Sequence, residues 1–458
     1  MHSPVAGPRA PGPWVDSLTQ QVTFRLDHDE RCTPTRVWFH LRDYGADPTF
    51  HREGEHWVAR IPRPPVDRLE YLITLEWSDG GQSMVPDPAN PNRVRSVFGD
   101  KSVIEFAGYV RPWWLSVADA TEAQARRDAE AVRAATRRAA MTGRPGPRGR
   151  LGAPTPAGLI AVAIPATYAD GLDPSGRAMP GEGIASVRVR TQSNPGDDRI
   201  RRARGAPIAS AALVAGPTAT EVVDPDAAVR VTGQLFVPAD STPDEPLPLL
   251  VVHDGPEYAD LAELLRYLVT VARLEPGLRC RVLLLEPVDR DRSYSASPAY
   301  ARALVTRLLP GITDAMATAG RPVGVGASLG GLAMLHAASS YPGTFAGVFS
   351  QSGSFFRPRT DGMESGYRHY GRIVRFVDDI DADPERLADL NIAMTCGTGE
   401  ENLANNRSLA RRLARLGVPT TFVENPDGHN YTGWRDCLDP GLRLLLQAAW
   451  GQAGNNPG

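Results

Sequence analysis

Residues 322–335 read Pro322-Val323-Gly324-Val325-Gly326-Ala327-Ser328-Leu329-Gly330-Gly331-Leu332-Ala333-Met334-Leu335, and the organisation of the chain follows from them. Pro322 to Ala327 has the short apolar composition of a buried strand, and Leu329 to Ser339 the small and apolar composition of a helix. Between them stands a serine with a glycine two residues before and two after. A strand that becomes a helix within one residue brings the two backbones so close that side chains at those flanking positions have no room. In a chain with 44 glycines the pattern alone would carry little, and the strand and helix around it carry the reading.

Working outward, Val229 to Val237, Leu247 to His253 and Arg281 to Glu286 read as strands, with helices over Ala259 to Ala272 and Ala299 to Thr318. After the serine, Gly347 to Ser350 and Ile392 to Cys396 read as strands. The helix Leu403 to Leu416, the strand Thr420 to Glu424 and a final helix from Gly433 follow. Alternation of this kind builds a doubly wound, mostly parallel sheet with helices on both faces. Together with the serine turn it predicts an α/β-hydrolase over residues 208–452.

Residues 15–110 are different. Runs such as Gln21 to Leu26, Arg36 to Leu41, His56 to Ile61 and Tyr71 to Trp77 are rich in Val, Thr and aromatics, and turn clusters such as Ser78-Asp79-Gly80-Gly81 separate them. That spacing predicts an Ig-like β-sandwich. Between the two, residues 111–207 read as a helical and Pro/Gly/Arg-rich linker or insertion. Its helix spans 119–141, and Gly143 and Pro145 stop it. Strand-like pieces at Leu159 to Ile164 and Ala185 to Arg190 fall in neither domain.

A hydroxyl is a weak nucleophile at neutral pH, so Ser328 needs a base and the base needs an orienting group. In this fold the chain order is serine, acid, histidine. His253 ends a strand, His336 lies in the helix after Ser328, and His369 sits in a loop; each reads as a hydrogen-bonded or surface histidine. His429 stands in the loop Asn425-Pro426-Asp427-Gly428-His429-Asn430, after a strand and before the last helix, where the topology delivers its base. The loop Gly397-Thr398-Gly399-Glu400-Glu401-Asn402 offers two carboxylates, with Glu400 preferred as the acid and Glu401 next. The oxyanion donors are expected at the Leu329 N–H and in the loop His253-Asp254-Gly255-Pro256-Glu257, at Gly255 or Glu257, since Pro256 has no N–H.

The chain has 50 basic and 53 acidic residues and a formal charge of -3, so no global field favours nucleic acid or an anionic membrane. The four cysteines are far apart and form no metal-ligand or disulfide spacing, which suits a reducing cytoplasm. No secretion signal and no membrane span is read, and no metal or cofactor is expected.

The segments His253-Asp254-Gly255, "GASLGGLAML", "SQSGSFF" at Ser350 to Phe356, "GTGEENLANNRSLARRL" and "DGHNYTGWRDCL" resemble the enterochelin (ferric enterobactin) esterase family, esterase D-like serine hydrolases. "DPANP" and "SVIEFAGYVRPWW" are similar to the end of that family's N-terminal β-sandwich. The resemblance implies hydrolysis of the ester scaffold of a catecholate siderophore, with a small-molecule ester as partner. Arg290, Arg292, Phe355, Phe356 and Trp434 would line a pocket for aromatic, anionic acyl groups. The family usually carries Arg followed closely by Glu-Leu, where this chain has Arg290-Asp291-Arg292-Ser293-Tyr294 and lacks the Glu. Two other readings are a feruloyl- or acetyl-type esterase or acyltransferase of the same fold, and a binding protein without turnover.

Overall fold

A computed structural model describes residues 12–27, 34–39, 49–124, 127, 130, 158–163, 188–189, 231–238, 241–287 and 289–451. The chain divides into two compact units. One comprises Met1–Val110 together with Cys396–Leu403 and Glu424–Gly433; the other comprises Arg111–Thr395, Ala404–Val423 and Trp434–Gly458.

The described residues of the smaller unit form three antiparallel sheets. Trp14–Val15, Gln21–Asp27, His56–Pro62 and His51–Glu53 form the first; Arg36–Phe39, Ile73–Glu76 and Gln82–Val85 the second; Arg68–Tyr71, Gly99–Glu105 and Arg93–Ser96 the third. Period-two patterning explains the pairing, because Val22, Phe24 and Leu26 alternate along one strand and all turn inward. Phe24, Phe39, Phe50 and Tyr71 meet edge-on and tilted at the centre, with Phe24 and Phe39 centroids 4.4 Å apart. Each such ring contact adds about 0.5–1.5 kcal/mol beyond the area it buries.

Among the described residues the remaining sheet is nine-stranded and built mostly from the larger unit. Its order is Arg188–Val189, Gly158–Ala163, Val231–Val237, Arg281–Pro287, Leu249–His253, Val323–Ala327, Gly347–Gln351, Asn391–Gly397, Thr420–Asn425. The first three strands and their junction with Arg281–Pro287 are antiparallel. From Arg281–Pro287 to Asn391–Gly397 the pairing is parallel. Strands covered on both faces carry continuous apolar runs, and Leu249–His253, Val323–Ala327 and Gly347–Gln351 are buried at every position.

Several boundaries differ from those the sequence predicts. The pieces near 159 and 185, assigned to neither domain, extend this sheet, with Arg188–Val189 at its edge and Gly158–Ala163 paired on both sides. The helix expected over 119–141 is already formed at residues 113–124, while most of 125–141 lies outside the described residues. Trp114 explains the earlier start: it is fully buried, with its ring 5.3 Å from that of Tyr267. The single helix expected over Ala299 to Thr318 is Pro298–Ala303, a π-turn at Leu304–Leu308 and Leu309–Ala315. Pro310 has no N–H and its ring crowds the preceding turn, and the wider π-turn absorbs both. The final helix is two, Tyr431–Asp436 and Gly441–Trp450, with Pro440 between them. Among the described residues no helix is long and apolar enough to cross a membrane.

Candidate active site

Ser328 stands between Val323–Ala327 and the helix Leu329–Ser340 with φ 54° and ψ -125°, a conformation that L residues seldom adopt. The surroundings hold it there. The Ser328 N–H donates to the Gln351 carbonyl at 2.9 Å, and its carbonyl accepts from the amides of Leu332 and Ser354, each at 3.2 Å. The glycines are required by contact: a Cβ on Gly326 would fall on the backbone of Gly330, and one on Gly331 would lie 2.5 Å from Ser350 Oγ. The following helix is buried from Leu329 through Ser339, so small residues let it lie close to the sheet.

A buried relay ties this turn to its neighbours. His253 Nδ1 lies 2.8 Å from the Gly330 carbonyl and its Nε2 lies 2.8 Å from the Tyr300 hydroxyl. Burial pushes the His253 imidazole down to about 4, so at neutral pH it is an uncharged structural linker. His336 is likewise pushed to about 4 by burial.

Two amides expected at the oxyanion open helices. Leu329 begins its helix, and Gly255 begins the short helix Gly255–Asp260, so both N–H groups belong to first turns that have no intrahelical acceptor. Gly255 is a glycine of necessity, since its Cβ would strike the Leu284 backbone. The preceding Asp254 has φ 49° and its carboxylate is gripped by Arg290, with Nη2 to Oδ2 at 2.7 Å and Nε to Oδ1 at 2.9 Å.

Arg290 thereby braces the loop that carries Gly255 while its side chain keeps 39 % exposure. Phe355, expected to line a pocket, is fully buried in the main core cluster, and Phe356 is 7 % exposed in the same cluster, so both pack in the core. Trp434 is 7 % exposed, stacks on Tyr258 and donates its indole N–H to Ser352 Oγ at 2.9 Å, which anchors the helix Tyr431–Asp436. Arg292 contributes its backbone, its N–H capped by Asp289 Oδ1 at 3.0 Å and its carbonyl held by Arg372. Sequence reasoning missed Ser354, whose Oγ lies 3.2 Å from Ser328 Oγ. Nothing in "SQSGSFF" distinguishes that serine from Ser350 or Ser352.

The Glu400 and His429 loops belong to the smaller unit. Glu400 Oε2 lies 2.5 Å from His429 Nδ1, and Glu400 Oε1 accepts the Gly397 N–H. The side chain of Glu400 has no exposed surface while that of His429 keeps 24 %, so the carboxylate is shielded and the imidazole reachable. The loops are stitched by Thr398 N–H to the Asn425 carbonyl at 2.7 Å and Gly399 N–H to the Asp427 carbonyl at 3.1 Å. Asp427 Oδ1 accepts from Gly428 N–H at 2.7 Å and Asn430 Nδ2 at 2.9 Å, one on each side of His429. Its Oδ2 accepts from Arg68 Nη1 at 2.8 Å. Burial raises the Asp427 carboxyl above its ordinary value, and the Arg68 charge opposes that rise. Among the described residues no group of three or more His, Cys, Asp or Glu side chains is arranged to hold a metal ion.

Residues 228–445 match the family described as "Putative esterase". The Iron(III) enterobactin esterase of Escherichia coli strain K12 is 26 % identical over 221 residues, covering 46 % of this chain and 53 % of that protein. The Iron(III) enterobactin esterase of Dickeya dadantii is 27 % identical over 44 % of this chain and 49 % of that protein. The chain thus spans about half the length of the curated relatives it matches. Among solved structures, the enterobactin esterase of Shigella flexneri, crystallised in the presence of 2,3-dihydroxy-N-benzoyl-glycine, superposes with TM-score 0.57 at 15 % identity, covering 97 % of each chain. The ferric enterobactin esterase of Salmonella typhimurium gives 0.56 at 16 % identity over 98 % of each. With the turn at Ser328 and the sheet order behind it, the chain has the fold of an α/β-hydrolase preceded by a β-sandwich, and it is similar to the iron(III) enterobactin esterases.

Proposed function

We propose that the chain is a serine carboxylic-ester hydrolase that opens the ester scaffold of a catecholate siderophore, with any bound iron released as cargo. The observation that carries the chemistry is the 2.5 Å contact between Glu400 Oε2 and His429 Nδ1. A carboxylate only accepts, so Nδ1 carries the hydrogen and the Nε2 lone pair is left to act as base. In this reading Nε2 takes the Ser328 hydroxyl proton as Oγ bonds to the ester carbonyl carbon. The oxyanion is met by the amides of Leu329 and Gly255. The alkoxide leaves with the proton from His429, and water then repeats the sequence to release the acid and restore Ser328.

The names of the matched relatives support the substrate class, and the wide spacing of the four cysteines suits a reducing compartment such as the cytoplasm. Product analysis after incubation with trilactone catecholates, feruloyl esters and simple aryl esters tests the reading. Trilactone opening that disappears in Ser328→Ala supports it. Cleavage of only the feruloyl and aryl esters would overturn the substrate, and full activity in Ser328→Ala would overturn the mechanism.

A further inference from the structure

We infer that Arg68, on a strand of the N-terminal sandwich, is a positioning residue for the proposed base, acting through Asp427 on the loop that carries His429; the inference rests on the function proposed above. Arg68 begins the strand Arg68–Tyr71, and its side chain is 2 % exposed. One guanidinium nitrogen donates to Asp427 Oδ2 at 2.8 Å and another to Glu70 Oε1 at 3.2 Å, with the cation over the Tyr109 ring. The same stretch of sandwich reaches both loops by other bonds. The Asp67 N–H donates to the Pro426 carbonyl at 2.6 Å, and Thr398 Oγ1 donates to the Pro65 carbonyl at 2.7 Å. Pro65 to Arg68 therefore fixes the acid loop at Thr398 and the base loop at Pro426 and Asp427.

A buried ion pair is weak evidence for stability, because desolvation opposes the attraction, but it specifies one geometry closely. Here the geometry specified is that of His429. With Oδ2 held by Arg68, Asp427 Oδ1 clasps the loop immediately before and after the imidazole. If Asp427 turns, both clasps move together, and the 2.5 Å approach of His429 to Glu400 depends on them. The sandwich thus sets the orientation of the base without touching substrate.

The test uses the full chain with Arg68→Met, Asp427→Asn and the double variant. Turnover, KM, the pH profile of kcat/KM and thermal unfolding are measured on whichever ester the unaltered protein cleaves. For Arg68→Met we expect kcat to fall on the order of 10- to 100-fold, as for a small misplacement of a catalytic group. KM should stay within about threefold and the acid limb of the pH profile should move, since the Glu400 contact to His429 changes. The double variant should lose no more than the worse single. Should Arg68→Met not fold, Asp427→Asn keeps the Oδ1 acceptor and removes the charge, and the same changes are expected of it. A folded variant with unaltered kcat and pH profile overturns the inference, as do fully additive losses in the double variant. An unaltered protein that cleaves no ester, or that works without Ser328, fails the function instead and is seen before any Arg68 variant is made.

Discussion

The turn at Ser328 is assembled from backbone within a few residues: glycines that admit no Cβ, amides that hold a carbonyl, and a φ of 54° fixed by strand and helix. The Glu400 and His429 loops are held by side chains as well as by backbone bonds, and their fixed points include the Pro65 carbonyl, the Asp67 N–H and the Arg68 guanidinium. The first arrangement is short-range, and a Cβ at Gly326 would press on the Gly330 backbone. The second is long-range, with a charge pair whose members are 359 residues apart. The nucleophile proposed at Ser328 would need one strained position, which close packing supplies, whereas the proposed acid–base pair would need a distance and an orientation, which directional hydrogen bonds and ion pairs supply.

This contrast is open to attack at several strengths. Ser328→Ala should lower turnover by about 10^4-fold or more while leaving the thermal midpoint near its original value; unfolding of that variant would mean the serine is structural. Arg68→Met should cost about 3–5 kcal/mol in denaturant unfolding, because Asp427 is left charged and unpaired in the interior. Replacing both by apolar residues should recover most of that loss, and a double variant as weak as the single would argue against the pair.

The relay behind Ser328 gives a pH signature. His253 titrates near 4 in the folded chain against 6.5 when unfolded, so as pH falls the unfolded chain takes the proton first. The stability it contributes is complete above pH 6.5 and is lost as pH falls toward 4, a change of about 3 kcal/mol. In His253→Asn the slope of stability against pH over that window should flatten, leaving the share of His336; an unchanged slope would show that the imidazole is not held neutral. Smaller still, Gly326→Ala should cost about 1–3 kcal/mol through overpacking against Gly330. Gly343→Ala, with φ 78° and open space around the position, should show backbone strain of about 1 kcal/mol alone. Equal costs at the two glycines would remove the argument from contact.

The same division decides how much could be read beforehand. The strand-serine-helix turn and the alternating sheet were legible because their causes are local: apolar runs, small residues, a glycine at each end. The pairing partner of Asp427 was not. In "NPDGHN" it reads as a turn residue, and in "RLEY" Arg68 and Glu70 read as the polar side of a strand, so neither announces burial. Phe355 shows the limit from the other direction, because an aromatic beside a candidate site has the same one-letter appearance whether it faces a ligand or the core. Trp114 is similar: after Arg111-Pro112 it reads as loop, and only its burial against Tyr267 starts the helix there.

The 359-residue separation of Arg68 and Asp427 also has a meaning in time. At ribosomal rates of about 5–20 residues per second, a sandwich with its arginine in place waits roughly 20–70 s before its carboxylate partner is made. Through that interval Arg68 must remain hydrated or borrow Glu70, so the smaller unit reaches its final charge balance only after most of the hydrolase has been synthesised. A strand translated well before the hydrolase strands is thus among the last parts of the molecule to be finished.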